Sequence, residues 1–230
     1  MKKLLLLLPL IGAFALAGCG GDEEESGGGD HLDYSAEEVQ AKVKELGETR
    51  GYEITYEVKS SDSETEHYTL GAKDHYYWAF DGDDKYMYHY ENDLYQGFSY
   101  NSETSEFEKT GVEIDVSTMP EYKESMDAAS AGFSLYLYAG NSYTQGDGLT
   151  KKGSVTFIGR SATKYEYKWA ALQGSASYEL IIDDETGVTL KWAIAAQSNV
   201  SGDSGSASIE AKSFKVGSEV EVPAHEPLKK

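Results

Sequence analysis

The strongest constraint on this chain is a two-residue period that sets in along its C-terminal half. Tyr165, Tyr167 and Trp169 alternate with Lys164, Glu166 and Lys168. Alternation of this kind marks a strand with one face buried and one face wet. It recurs in SYELII (177–182), VTLKWAIA (188–195) and SASIEAKSFKV (206–216), with turn residues between them. A five-residue turn over 183–187 places Ile182 opposite Val188, Leu180 opposite Leu190 and Tyr178 opposite Trp192. Carrying the ladder back across 170–175 places Tyr167 opposite Tyr178. One apolar face then runs through Tyr167, Tyr178, Leu180, Ile182, Val188, Leu190, Trp192 and Ile194. The other face carries Lys164, Glu166, Lys168, Glu179 and Lys191. The pattern predicts an α+β, mainly β chain: a large curved antiparallel meander with few helices.

The first half fits that plan. Ser35 and Glu38 have the spacing of a capping box, and Val39, Val43 and Leu46 share one helical face. A helix is expected over about 36–47, with Gly47 as its stop. From Tyr52 the period becomes two, with Ile54, Tyr56 and Val58 on the same side. HYYWAF (75–80), KYMYHY (85–90) and LYQGFSY (94–100) follow as a meander. A four-residue loop at 81–84 and a three-residue loop at 91–93 would put Tyr76, Trp78, Met87, His89 and Tyr95 on one face. Tyr77, Tyr86, Tyr88, Phe98 and Tyr100 would then share the other. Both faces are aromatic, so something is expected to pack on each, and alternation does not say which is core. A second helix is expected from Pro120 to about Ala139, although FSLYLYAG within it also suits a strand.

The N-terminus is organised differently. Lys2 and Lys3 precede an apolar run, Leu4 to Ala17, shorter than the roughly 20 residues a membrane span needs. It has the form of a secretory signal peptide. Its end, Leu16-Ala17-Gly18-Cys19, resembles the lipobox of bacterial lipoproteins at all four positions. That resemblance implies removal of residues 1–18 and attachment of a diacylglyceryl group, with acyl chains of the palmitate kind, to the Cys19 sulfur. Two chains make a durable anchor where one is marginal. The implied location is the extracytoplasmic face of a bacterial cell membrane. The expected organisation is a signal peptide (1–18), the lipidated cysteine with an acidic, Gly-rich linker (19–33), one domain (34–222) and a C-terminal tail (223–230).

Composition narrows the function classes. The formal net charge of −20 repels nucleic acid, so no nucleic-acid partner is expected. Cys19 is the single cysteine, so no intramolecular disulfide can staple the fold. The chain has 18 tyrosines against 7 phenylalanines, which suits half-wet aromatic surfaces. The histidines, at 31, 67, 75, 89 and 225, lack HxH or HxxxH spacing. No G-x-S-x-G elbow, phosphate loop or dinucleotide fingerprint occurs, and Asp81-Gly-Asp-Asp84 reads as a hairpin tip rather than a calcium loop. The expectation is a non-enzyme with no catalytic residues, no metal and no cofactor.

Ile158-Gly159-Arg160 ahead of a strand, followed by YELIIDDETGVTLKW (178–192), resembles the LolA-like superfamily. That group includes periplasmic lipoprotein carriers, an envelope-stress regulator that binds an anti-sigma factor, and mycobacterial lipid-binding lipoproteins. The resemblance spans roughly 150–216. It implies a half-barrel around helices, with an apolar cavity that handles a lipid, acyl chain or lipopeptide. The eight residues from Tyr167 to Ile194 named above would be cavity wall, while the same face could serve simply as core. The carriers are soluble whereas this chain is tethered, which favours a fixed lipid-binding or sensing role. An envelope protein partner is a further reading of the same fold. The rival is a surface adhesin that holds protein or glycan through exposed aromatics.

Overall fold

The computed structural model describes residues 32–61, 63–119, 121 and 149–228. Helix α1 (Ala36–Thr49) comes first. It is followed by β1 (Tyr52–Ser60), β2 (Ser63–Lys73), β3 (Tyr76–Asp81), β4 (Asp84–Glu91), β5 (Leu94–Asn101) and β6 (Glu106–Asp115). After the gap come β7 (Thr150–Phe157), β8 (Arg160–Ala171), β9 (Gly174–Asp183), β10 (Thr189–Ser198) and β11 (Ser204–Val216). All join one 11-stranded sheet in the order β6-β5-β4-β3-β2-β1-β11-β10-β9-β8-β7. Two meanders therefore meet where β1 pairs antiparallel with β11. The sheet is open and curved, as the alternation predicts. The candidate helix over 120–139 lies outside the described residues, apart from Glu121.

Helix α1 starts as expected: Glu38 N–H donates to Ser35 Oγ at 3.2 Å, and Ser35 N–H donates to Glu38 Oε2 at 2.7 Å. Val39, Val43 and Leu46 are buried and pack with Tyr52, Ile54 and Tyr56 of β1 and Leu70 and Ala72 of β2. The helix overruns the expected stop at Gly47. It runs to Thr49 and is closed off by Gly51, whose φ is +82° and whose N–H donates to the Leu46 carbonyl at 2.7 Å. Gly47 has another use: a Cβ there would sit 2.9 Å from the Ala72 Cβ. The helix lies that close to β2.

The first meander corrects one face assignment. Glu91 pairs with Leu94, so the β4–β5 turn has two central residues, Asn92 and Asp93, at φ 51° and 63°. Both values belong to the type I′ hairpin turn. One residue fewer than expected in the loop flips every side chain of β5. Phe98 and Tyr100 therefore join Trp78 and Met87, while Tyr95 joins Tyr77 and Tyr88. The tyrosine side packs on α1. The Trp78 side buries Met87, Phe98, Phe107 and Val220, the last from a C-terminal segment that crosses back over the sheet. His225 bridges Phe107 in parallel, and Phe107 N–H donates to the Ala224 carbonyl at 2.8 Å. Both aromatic faces are thus covered.

In the second meander Tyr167 does pair with Tyr178. The β9–β10 register differs from the expected one. Thr189 pairs with Ile182, the ladder bulges at Leu190, and Leu180 and Tyr178 then face Trp192 and Ile194. The net slip of two residues keeps Tyr178, Leu180, Ile182, Trp192 and Ile194 on one face, because side chains repeat every second residue. The opposite face is a ladder of alternating charge. Lys164–Glu179 (2.6 Å), Glu179–Lys191 (2.7 Å), Lys191–Glu210 (4.0 Å), Glu210–Lys212 (2.6 Å) and Lys212–Glu57 (2.9 Å) cross from β8 to β1.

Candidate functional site

The apolar side of the second meander divides into two packed groups. Leu180, Ile182 and Trp192 are buried with Tyr165, Leu149 and Ala207, and Tyr167 and Ile194 pack at the rim of this group. Val188 and Leu190 are buried as well, but in the core around α1. Five of the eight wall candidates therefore come together, Tyr178 adjoins them through the Tyr167 ring, and Val188 and Leu190 lie beneath the helix. The rings of Tyr167 and Tyr178 lie 5.3 Å apart at 54°. Burial pushes the Tyr178 hydroxyl's pKa above its ordinary value, with Tyr167 adding to the effect.

The first described residues latch onto this surface. Leu32 and Tyr34 pack against both groups. Asp33 Oδ2 accepts from Lys151 Nζ at 2.7 Å and from the Tyr165 hydroxyl at 2.9 Å. The Lys151 ammonium chiefly holds the Asp33 carboxyl below the usual range. The Tyr34 hydroxyl donates to the Asp184 carbonyl at 2.6 Å.

The Arg160 and IDDETG residues serve as a clasp. Asp183 is 1% exposed. It accepts from Arg160 Nε at 2.5 Å, Arg160 Nη2 at 3.1 Å and Thr186 Oγ1 at 2.7 Å. Arg160 also reaches Glu185 at 2.9 Å, and Glu185 takes Arg50 of the α1 cap at 3.0 Å. The Arg160 guanidinium lies 4.6 Å from the Phe214 ring centre. Ser161 and Thr163 hydroxyls each donate to Asp184 at 2.7 Å. These residues tie the β7–β8 hairpin, the β9–β10 turn and the end of α1 together, and their polar atoms are used in doing so.

A feature that sequence reasoning missed lies between α1 and the first meander. The hydroxyls of Tyr52 and Tyr88 are buried and have no hydrogen-bond partner among the described residues. Tyr88 stacks on Tyr77 at 5.1 Å and on Tyr95 at 5.6 Å, while Tyr52 is 1% exposed. Burial drives both phenol pKa values far above 10. The tyrosines were visible as alternating residues, but nothing in their spacing shows whether a hydroxyl finds a partner.

Two open grooves, of about 660 and 570 Å³, cross the far end of β8–β11 and reach β1. They share Ser61, Lys168, Ser177, Ala195 and Ser206. Most of their lining alternates with the apolar face, so they open mainly on the charged side. Tyr178 and Ile194 border one of them. Among the described residues no group of His, Cys, Asp and Glu can hold a metal ion, and no helix is long and apolar enough to cross a membrane.

What the geometry defines is a class of architecture, an open curved sheet with one apolar face beneath a helix and one ion-paired face. No protein-family model and no curated protein matches the chain. Solved structures similar to it include the Pseudomonas aeruginosa MucA/MucB complex, at 13% identity over 80% of this chain and a TM-score of 0.34. The chain spans 57% of the length of the protein it matches there. LprF from Mycobacterium bovis is 10% identical over 82% of this chain and 95% of its own, with a TM-score of 0.30. A LolA superfamily protein from Nitrosomonas europaea is 9% identical over 83% of this chain and 96% of its own, with a TM-score of 0.24.

Proposed function

We propose that this chain is a bacterial lipoprotein, held on the extracytoplasmic face of the cell membrane through lipidated Cys19, whose inner sheet face binds or senses a lipid, an acyl chain or a lipopeptide. The observation that carries the ligand reading is the pair of buried, unpartnered hydroxyls on Tyr52 and Tyr88, set in a broad apolar face. Buried polar atoms nearly always find a partner. A molecule with an apolar body and a polar end would supply one. The LAGC motif supports the anchor. The adhesive reading has less support among the described residues, where Tyr86 and Trp169 are the aromatics among the large exposed hydrophobics.

The test is to purify the full chain from membranes, extract it with organic solvent for mass spectrometry, and titrate it with a fluorescent fatty acid. A co-purifying amphiphile and saturable binding are expected. Tyr88→Phe should weaken that binding yet leave the empty protein as stable or up to about 1 kcal/mol more stable, since an unsatisfied hydroxyl is removed. Binding unchanged in Tyr88→Phe and Tyr52→Phe would defeat the ligand reading. Cys19→Ala should shift the protein out of the membrane fraction. Retention at wild-type levels would defeat the anchor.

A further inference from the structure

The far end of the second meander differs in chemistry from the rest of the molecule. Segments 169–178, 192–202 and 204–209 contain no Asp, Glu, Lys, Arg or His, so that Asp203 in the β10–β11 turn is the one charge within 192–209, in a chain that is 26% charged and carries −20 overall. At this end the β8–β9 and β10–β11 turns project Leu172, 97% exposed, and Val200, 80% exposed. Trp169 stands behind them, 39% exposed.

The two turns are fixed to each other. Asn199 N–H donates to the Gln173 carbonyl at 3.0 Å. The Asn199 side-chain amide reaches the carbonyls of Ala171 at 3.5 Å and Leu172 at 3.4 Å. Ser198 Oγ accepts from the N–H groups of Val200 at 3.3 Å and Ser201 at 3.2 Å. Two largely exposed aliphatic residues are therefore held on neighbouring turns whose backbones are hydrogen-bonded to each other, with an indole behind them.

We propose that this end of the sheet inserts into the surface of a lipid bilayer, with Leu172 and Val200 entering the acyl boundary and Trp169 resting at the headgroup level. Indole rings favour that level because one edge is apolar and the N–H can stay wet. Charge selects the partner. An acidic protein is repelled by anionic headgroups, and this end, where Asp203 is the one charged residue between 192 and 209, is the part that can approach a zwitterionic surface closely. Size points the same way. A stable protein–protein interface takes roughly 800 Å² from each partner, whereas two turn tips offer far less and a fluid surface needs no matching shape.

The reach is sufficient. The residues from Cys19 to Leu32 can extend about 45 Å, and β8 carries Leu172 roughly 23 Å beyond Tyr165, which holds Asp33. The insertion takes from the anchored reading only the nearness of a bilayer.

The test places the full chain in phosphatidylcholine vesicles with brominated acyl chains and reads tryptophan quenching. Trp78 and Trp192 are 0% and 5% exposed, so Trp169 is the reporter. Quenching is expected in the wild type, and its loss in Trp169→Phe assigns it. The Leu172→Asp/Val200→Asp double variant should lose most of the quenching while keeping its near-ultraviolet circular dichroism, because both side chains are already in water. An unquenched wild type, equal quenching in the double variant, or quenching that requires an added protein would each overturn the insertion. Membrane release of Cys19→Ala reads the anchor separately, so the two readings can fail independently.

Discussion

Asp183 shows how much one buried carboxylate can organise. With both oxygens engaged by Arg160 and Thr186, it cannot lose its partners without leaving a charge in an apolar surrounding. Removing one partner of such a pair costs about 3–5 kcal/mol, much of it the uncompensated charge left behind. Asp183→Ala should therefore lower the urea midpoint by more than Glu185→Ala, whose carboxylate is 55% exposed. Equal effects would show that Asp183 is not the centre of the clasp. Gly187, four residues on, has φ +74°, and a Cβ there would lie 2.8 Å from the Tyr34 ring and 2.9 Å from Val39 Cγ2. The turn motif is kept glycine-tight by the packing of Tyr34 and α1 above it as well as by backbone conformation.

Turns govern the elements. Where both central residues sit at positive φ the hairpin is tight, and the strand that follows takes its facing from that count. The β4–β5 turn achieves this with Asn92-Asp93, residues that tolerate the left-handed region. The β7–β8 turn achieves it with Ile158 at φ 46° followed by Gly159 at 80°. A β-branched residue is costly there, by about 1–2 kcal/mol. Ile158 is also 37% exposed. Ile158→Asn should therefore raise stability by about 1 kcal/mol, read as a higher melting temperature. A lower one would show that the Ile158 side chain earns its place through contacts.

At the scale of the whole molecule, the charged face sets the acid response. Lys59 and Lys212 hold the Glu57 carboxyl down to about 2, and Glu166 and Glu179 are likewise lowered, first of all by Lys164. A carboxylate with a depressed folded pKa contributes stability above its unfolded value, near 4.3, and loses it as pH falls toward the folded one. Stability from this face should hold between pH 7 and about 5 and decline from about 4.5 toward 2, as followed by urea unfolding. These groups lie at the surface, so added salt should flatten the curve. A decline that begins well above pH 5, or one indifferent to salt, would assign the acid sensitivity to other groups.

Local pattern alone determined the class of sheet, the capping box of α1, the pairing of Tyr167 with Tyr178 and the division of the second meander into an apolar and a charged face. Each depends on near neighbours or on a period of two, which the order of residues records directly. The facing of Phe98, Tyr100 and Tyr95 was decided by one residue in a turn, and the helix end by Gly51 rather than Gly47. The β9–β10 register depended on a bulge that composition does not mark. The unpartnered hydroxyls of Tyr52 and Tyr88, and the joining of Leu172 to Val200 at one charge-poor end, arise only when segments distant in the chain are packed together. A hydrogen-bond partner, or its absence, is a property of the assembled sheet and not of the residue that seeks it.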